Sequence, residues 1–386
     1  MTIPNGWTTA QLEDGIELLS GQHILANEYT HLPPGIPYLT GPADFPNGKI
    51  VVTKYTIQPK VTCKPGDILV TIKGSGTGKI ILADHEYCIS RQLAAVRAKH
   101  WDSKFIFYFL QSNNSRYAGA AAGLIPGIAR DDILKTPISL PPLPEQRKIA
   151  EILSTWDEAI DLTARLLAAK QRRKHALMQR LLTGKVRFPG FHNSWRKVSL
   201  KELLTPIVRK VKNPQESYTA LSIRSHGKGA FRRAVDDPDE VAMTELYQVQ
   251  DGDLMVNITF AWEGAIAIVN QEDAGCYVSH RFPTYRFNEN TIVRDFFRYV
   301  MVTKQFFHEL GLISPGGAGR NRVLNKTDFL NIHIFMPDIS EQQKIASLLI
   351  GCDQEIDLLQ QKLAALHQQK QDLMQQLLTG KVRMVV

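Results

Sequence analysis

The chain has 386 residues, with 46 Lys or Arg against 38 Asp or Glu, so its formal net charge is +8. Hydrophobic residues at 44% and charged residues at 22% are ordinary for a globular protein and exclude a disordered or fibrous chain. The length predicts two or three domains, and four scattered cysteines without a CxxC pair exclude a disulfide framework and a structural zinc site.

Residues 1–144 are predicted to form an α+β domain, because short β-like runs alternate with turn residues. The predicted strands are Lys49–Gln58, Asp67–Ile72, Lys79–Leu82 and Ile89–Arg97, and a helix follows at Ser103–Gln111. Two loops are rich in Gly: KGSGTGK (Lys73–Lys79) and AAAGLIPGIAR (Ala120–Arg130).

Residues 145–187 are predicted to form one long helix. Apolar positions follow alternating steps of four and three from Ile149 to Leu181, which is typical of a coiled-coil seam about five heptads long. From Arg165 onward this helix has eight basic residues and no acid.

Residues 188–340 are predicted to form a second α+β domain. Its predicted strands are Ser217–Ile223, Leu254–Phe260, Ala265–Val269 and Arg281–Phe287, followed by a helix at Val293–Leu310. Its loops SIRSHGKGAFRR (Ser222–Arg233) and SPGGAGRNR (Ser314–Arg322) are basic.

Residues 341–386 repeat the long helix. EQQKIASLLIGCDQEIDL, which starts at Glu341, matches EQRKIAEILSTWDEAIDL, which starts at Glu145, and 24 of 43 ungapped positions are identical over the two helices. The domains before them match only weakly, for example GDILV at Gly66 with GDLMV at Gly252. This pattern indicates a gene duplication in which the helices were kept and the domains diverged.

A narrow seam of this length favours another helix as its partner over the helix's own domain, which is the alternative. The fold class predicted is α+β, with two α+β domains separated by an antiparallel two-helix coiled coil and an internal pseudo-twofold repeat. That arrangement would form a rod with one domain at each end. The helix dipole, or pairing with acids of the second helix, accounts for the basic stretch; a basic face toward DNA or an acidic partner is the alternative.

The loops supply the candidate DNA contacts, because Gly permits close approach while Lys, Arg and Asn reach phosphates or base edges. For any one of these residues, a solvated surface position is the alternative. The candidates are Lys73, Ser75, Thr77, Lys79, Arg130, Arg224, His226, Lys228, Arg232, Arg233, Arg320, Asn321 and Arg322.

No catalytic motif withstands inspection, and no metal site is predicted. KGSGTGK fails as a phosphate loop because Lys73 stands where the first Gly belongs and Ile80 replaces the Ser or Thr that binds magnesium. The chain also lacks HExxH, a GxSxG elbow and the Asn-Pro-Pro-aromatic motif of adenine methyltransferases.

Two divergent domains, each followed by a repeated helix opened by PPLPEQRKIA or MPDISEQQKIA and closed by LLTGKV, resemble the specificity subunits of type I restriction–modification systems. The resemblance covers essentially the whole chain. It implies target recognition domain 1 at 1–144, a conserved helix at 145–187, target recognition domain 2 at 188–340 and a second conserved helix at 341–386.

The resemblance further implies a non-catalytic subunit whose two domains each read half of a bipartite, asymmetric DNA sequence. The helices would set the spacer and dock two methyltransferase subunits, and restriction subunits would join the complex. S-adenosylmethionine would belong to the methyltransferase, and ATP and magnesium to the restriction subunit, with no cofactor on this chain.

Three alternatives remain at this stage. They are the specificity subunit of a fused restriction–methylation system, an enzyme such as a nuclease with an unrecognised site, and a coiled-coil scaffold without DNA recognition. The absence of a secretory signal, and of any apolar run near the roughly 18 residues that span a bilayer, predicts a soluble cytoplasmic protein.

Overall fold

A computed structural model of the chain describes residues 4–74, 76–114, 116–117, 127–317 and 322–384. The chain divides into two compact units, Met1–Arg165 with Gln360–Val386, and Leu166–Leu359. Each unit therefore combines one α+β segment with part of each long helix. These helices are Leu143–Leu181, the first long helix, and Ile339–Leu378, the second long helix.

The strands described in the first unit form three sheets. A two-stranded sheet pairs Thr8–Gln11 (β1) with Pro137–Leu140 (β11). A four-stranded sheet has the order Ile16–Ser20 (β2), Leu93–Ala98 (β10), Ile68–Thr71 (β7), Ile80–Leu82 (β8). A five-stranded sheet has the order Tyr29–Thr30 (β3), Tyr55–Thr56 (β5), Ile36–Leu39 (β4), Tyr87–Ile89 (β9), Thr62–Cys63 (β6).

The strands described in the second unit also form sheets of two, four and five strands. The first pairs Arg196–Ser199 (β12) with His333–Met336 (β22). The second has the order Leu204–Ile207 (β13), Thr284–Phe287 (β21), Leu254–Val256 (β18), Ile266–Ile268 (β19). The third has the order Lys210–Lys212 (β14), Glu245–Gln248 (β17), Tyr277–Val278 (β20), Tyr218–Ile223 (β15), Ala230–Val235 (β16).

The two units share this topology despite their divergent sequences. Their four-stranded sheets connect equivalent strands in the same order, and both five-stranded sheets contain one parallel pair, β4 with β9 and β15 with β20. Among the strands that the structure describes, only an edge strand differs: β3 pairs with β5 in the first unit, whereas its counterpart β14 lies at the opposite edge, beside β17. The duplicated segments therefore kept one fold and changed the position of one edge strand.

Short helices complete both units. The short α-helices that lie wholly within the described ranges are Ser103–Ser112, Arg130–Leu134, Leu200–Leu203, Arg294–Val300, Lys304–Leu312 and Lys326–Asn331. The 3₁₀ turns are Leu12–Asp14, Pro42–Asp44, Pro46–Gly48, Pro238–Glu240, Ala261–Glu263 and Gln271–Asp273.

Five predicted elements are wrong in extent. The strands expected over Leu254–Phe260 and Arg281–Phe287 are reduced to β18 and β21. The strand expected over Lys49–Gln58 is reduced to β5. The strand expected over Ile89–Arg97 is two strands, β9 and β10, which belong to different sheets and are separated by a turn in which the Leu93 amide donates to the Ser90 carbonyl. The helix expected over Val293–Leu310 is interrupted, because Thr303 caps a new helix by accepting from the Phe306 amide.

Within each unit, the long-helix segments run antiparallel and share the domain core. In the first unit Ile149 and Leu153 are buried in one cluster with Leu377. In the second unit Leu181 is buried with Ile345. The predicted antiparallel seam is confirmed in both units.

Lysines at seam positions bind acids across the seam. Lys370 lies 2.6 Å from Asp157 in the first unit, and Lys174 pairs with Asp353 in the second. Each acid also accepts a hydrogen bond from a tyrosine of its own α+β segment, Tyr108 at 2.8 Å and Tyr299 at 2.7 Å. Burial, together with the bond to the acid, raises the pKa of both tyrosine hydroxyls. The same Tyr–Asp–Lys triad thus attaches each α+β segment to two helices.

The basic stretch of the first long helix is partly neutralised by this pairing. Lys170 pairs with Glu355, and Lys174 with Asp353. These ion pairs confirm the interpretation that acids of the second helix pair with basic residues of the first. Within the described ranges, no helix has the continuous apolar length that a bilayer crossing requires.

Candidate nucleic-acid interface

In the first unit, the loop Lys73–Lys79 joins β7 to β8. The amide groups of Thr77, Gly78 and Lys79 donate to carbonyl oxygens of Gly74, Thr71 and Gly76, all within 3.0 Å. Because these amides already donate within the loop, they are not available to bind an anion. An anion at this loop would be bound by the exposed side chains of Lys73 and Lys79. The Thr77 hydroxyl donates to the Gly74 carbonyl at 2.6 Å, and Ser75 lies outside the described residues.

A second segment lies beside this loop. The Ile128 amide donates to the Ile72 carbonyl at 2.8 Å, and Lys73 forms a β-bridge with Gly127. Two residues later Arg130 is exposed at the start of its helix, where its Nη1 donates to the Ser20 hydroxyl at 3.3 Å. The structure therefore brings Lys73 and Arg130 to one side of the domain, while residues 120–126 of the Gly-rich segment lie outside the described ranges.

In the second unit, the structural counterpart of Lys73–Lys79 is the loop of residues 257–265, between β18 and β19. Its Ile258 carbonyl accepts the Leu324 amide at 2.8 Å, as Ile72 accepts Ile128 in the first unit. Trp262 is half-buried in this loop, and its indole Nε1 donates to the Thr259 carbonyl at 3.2 Å. Sequence reasoning missed this loop, although the echo of GDILV by GDLMV immediately before it was a usable signal.

Arg322 lies against this loop. Its guanidinium carbon is 5.0 Å from the centre of the Trp262 ring, while Nε and Nη2 donate to the carbonyls of Ser314 and Gly311 at 3.0 and 2.8 Å. The stack and the two bonds hold the guanidinium in one orientation, which lowers the entropy cost of any further contact. Arg320 and Asn321 lie outside the described residues.

The remaining candidates lie on the hairpin of β15 and β16, whose connecting loop is residues 224–229. The side chains of Arg224, His226 and Lys228 are exposed on this loop. The His226 amide donates to the Glu263 carbonyl at 2.7 Å, which fixes the loop against the 257–265 segment. The structure thus joins two loops that are far apart in sequence into one surface.

Arg232 and Arg233 are adjacent in β16 and face opposite sides of the sheet. Arg232 binds Asp273 at 2.8 Å and the Glu272 carbonyl, and the bond to Asp273 raises the pKa of its guanidinium. Arg233 is exposed and makes no ion pair within the described part of the chain. The structure therefore gives Arg232 an internal partner and leaves Arg233 available.

Three of the four cysteines offer no exposed thiol. Cys63, Cys88 and Cys276 are buried, and burial raises the pKa of Cys63 to about 12. No group of three metal-ligating side chains comes together in the described ranges.

Known proteins with similar sequences match this chain over most of its length. The model of the type I restriction modification DNA specificity domain matches the chain twice, over residues 4–169 and 194–368. The MjaVIII type I restriction enzyme specificity subunit of Methanocaldococcus jannaschii is 25% identical over 99% of this chain and 94% of its own length.

Solved structures show the same fold. The S subunit of a type I restriction–modification system from M. genitalium superposes with a TM-score of 0.61 at 16% identity, covering 100% of this chain and 99% of its own. The HsdS subunit of Thermoanaerobacter tengcongensis gives a TM-score of 0.52 at 20% identity, covering 99% of both chains.

Proposed function

Because the chain belongs to the type I restriction–modification DNA specificity family, we propose that its two α+β segments each read one half of a bipartite, asymmetric DNA target. The supporting observation is that one topology occurs twice with different loops. Two copies of a fold suit two half-sites, and different loops suit two different sequences.

Half-site reading is assigned to the loop surfaces described above. In the first domain it uses Lys73, Lys79 and Arg130, and in the second it uses Arg224, Lys228 and the Arg322–Trp262 pair. Cationic side chains of this kind contact phosphates, and a fixed guanidinium suits a guanine edge.

The long helices are proposed to set the spacer between the half-sites and to dock methyltransferase subunits. Uninterrupted helices of 39 and 40 residues support the first role, since a helix transmits a fixed length. Leu162 and Leu358 occupy equivalent repeat positions and are 59% and 65% exposed. Two equivalent exposed leucines fit a partner that binds twice, which is the support for two methyltransferase subunits.

Catalysis is proposed to belong to these partners. S-adenosylmethionine would bind the methyltransferase subunits, and ATP with magnesium would bind the restriction subunits. This chain would supply recognition and spacing alone.

Methylome sequencing of the host with and without the gene tests this function. Loss of N6-methyladenine at one split, asymmetric motif is expected and would give both half-sites and the spacer. If the methylome is unchanged while the chain copurifies with an active methyltransferase, the recognition role is wrong.

A further inference from the structure

The strand pair that follows the first strand of each five-stranded sheet has a different connecting loop in the two domains. We define the basic hairpin as β15 and β16 with the connecting loop 224–229, and the counterpart loop as residues 40–54, between β4 and β5. Both hairpins occupy the same place in the shared topology. The cations of the two differ in exposure and in whether they form ion pairs.

The cations of the basic hairpin are unneutralised. Arg224 and Lys228 are exposed at its tip, and Arg233 is exposed on its second strand. None of the three forms an ion pair with any residue in the described ranges. The nearby Glu263 carboxylate accepts from the Ser225 hydroxyl at 2.7 Å instead.

The tip is also held rigidly. The amides of His226 and Gly227 donate to the carbonyls of Glu263 and Gly264 at 2.7 and 2.9 Å. Gly227 has a φ of +65°, and a Cβ there would lie 2.7 Å from the Val302 side chain. Packing therefore admits only glycine at this point of the loop.

The orientation of Arg224 is fixed as well. Its guanidinium carbon lies 4.7 Å from the centre of the Phe231 ring, and Nη1 donates to the Ala230 carbonyl at 3.0 Å. A stacked guanidinium has lost much of its rotamer freedom before a ligand arrives. The hairpin thus presents preset positive charge.

In the counterpart loop one cation is ion-paired and the other is half-buried. Lys49 lies 3.2 Å from Asp161 of the first long helix, and the half-buried Lys54 lies 5.4 Å from the centre of the Tyr29 ring. The same position in the first domain therefore offers little free charge to a polyanion.

We propose that the basic hairpin lies in the DNA major groove at the half-site of the second domain and binds flanking phosphates through Arg224 and Lys228, whereas the counterpart loop binds none. This inference rests on the proposed function. A two-stranded ribbon, with strands about 4.8 Å apart, fits a groove about 12 Å wide. The basic hairpin should consequently carry salt dependence that the counterpart loop does not.

The test measures the slope of log K against log salt for the purified full chain with its methyltransferase subunits. The slope is negative, and each lost phosphate contact reduces its magnitude by about 0.9. Arg224→Gln with Lys228→Gln should therefore reduce the magnitude by about 1.8. The control is Lys210→Gln with Lys212→Gln, which removes one cation paired with Glu245 and one cation without an ion pair in the described ranges from β14, at the opposite edge of the same sheet. Lys49→Gln with Lys54→Gln tests the counterpart loop.

Support requires that only the hairpin variant loses slope and that Arg224→Lys with Lys228→Arg, which keeps the charge, retains it. Equal slopes for the hairpin and β14 variants would overturn the inference, as would an equal loss from the counterpart-loop variant. If the unaltered complex binds target and scrambled duplexes equally, the proposed function is wrong, and the slopes on either duplex still decide the hairpin.

Discussion

Glu145 and Arg383 lie 238 positions apart and form a two-pronged ion pair, with Nε to Oε1 at 2.8 Å and Nη2 to Oε2 at 2.9 Å. Trp7 donates its indole N–H to the same carboxylate at 3.2 Å. The first residue of one repeat is thus tied to the last residue of the other and to the first domain.

The second unit contains the same arrangement with the repeats exchanged. Arg187 binds Glu341 at 3.0 and 2.6 Å, and Trp195 donates to that carboxylate at 3.3 Å. The two copies of the helix thus close both units by the same chemistry. Each domain depends on a helix end that comes from elsewhere in the chain.

Replacing Glu145 with Gln should destabilise the first unit by about 2 kcal/mol, because the carboxylate is 4% exposed and its partners lose a charged acceptor. Burial alone would raise the pKa of Glu145, but the bonds from Arg383, the Met384 amide and Trp7 outweigh it and lower the pKa below its usual 4.5. The stabilisation is therefore complete above pH 4.5 and is lost as the pH falls through the lower folded-state pKa.

Thermal unfolding of the unaltered chain and of the Glu145→Gln variant between pH 3 and 7 checks this prediction. The Tm difference should be constant from pH 7 to 5 and should narrow below pH 4.5. A difference that widens in acid would contradict the ion-pair account. Glu151→Gln, on the same helix at an exposed position, is the control.

Deleting residues 163–169 and 359–365 together, which retains Leu162 and Leu358, should shorten the DNA spacer and leave both half-sites unchanged. The two deletions remove one heptad at equivalent repeat positions and keep the Asp157–Lys370 and Lys174–Asp353 pairs in register. Seven residues shorten a helix by about 10.5 Å, which corresponds to about three base pairs at 3.4 Å each. Methylation motifs of the variant give the spacer directly, and an unchanged spacer would show that the helices do not set its length.

Exchanging residues 188–340 for the second domain of another family member should change one half-site only. Contacts to base edges come from loops within that segment, while the helices and the first domain are retained. The readout is again the methylated motif. A change in both halves would show that the domains do not read DNA independently.

Gly227→Ala should destabilise the second unit more than Gly229→Ala does. Both residues have positive φ values, +65° and +80°, so each substitution incurs the roughly 1–2 kcal/mol cost of a left-handed alanine. Only Gly227 also faces a clash, with Val302 at 2.7 Å, whereas a Cβ at Gly229 meets open space. Denaturant unfolding compares them, and equal losses would show that the loop does not pack as described.

Local patterns in the sequence predicted much of the fold. The 3.5-residue spacing of apolar side chains predicted both long helices and their seam, and the identity of the repeats predicted two domains of one class. Short strands were harder: β5 and β9 have two and three residues, so their pairing partners rather than their own composition decide where they end. Thr303 likewise interrupts a predicted helix through a cap that periodicity does not reveal.

The candidate site was predictable in outline only. Lys73, Lys79, Arg224 and Lys228 are exposed as a DNA contact requires, but Arg232 has internal partners, and Trp262 was overlooked. Whether a charge is free depends on side chains such as Asp273, 41 positions away from Arg232. Composition carries no record of such distances.

The sequence by itself determined the duplication, the helical seam and the family. Each of these is a pattern among residues that are close together in the chain or separated by a fixed repeat distance. Only the tertiary structure decided that Arg383 completes the core around Trp7 and that the loop of Trp262 anchors the basic hairpin. These contacts join residues that are distant in the chain, and their free energy comes from burial and ion pairing that exist only once the chain has folded.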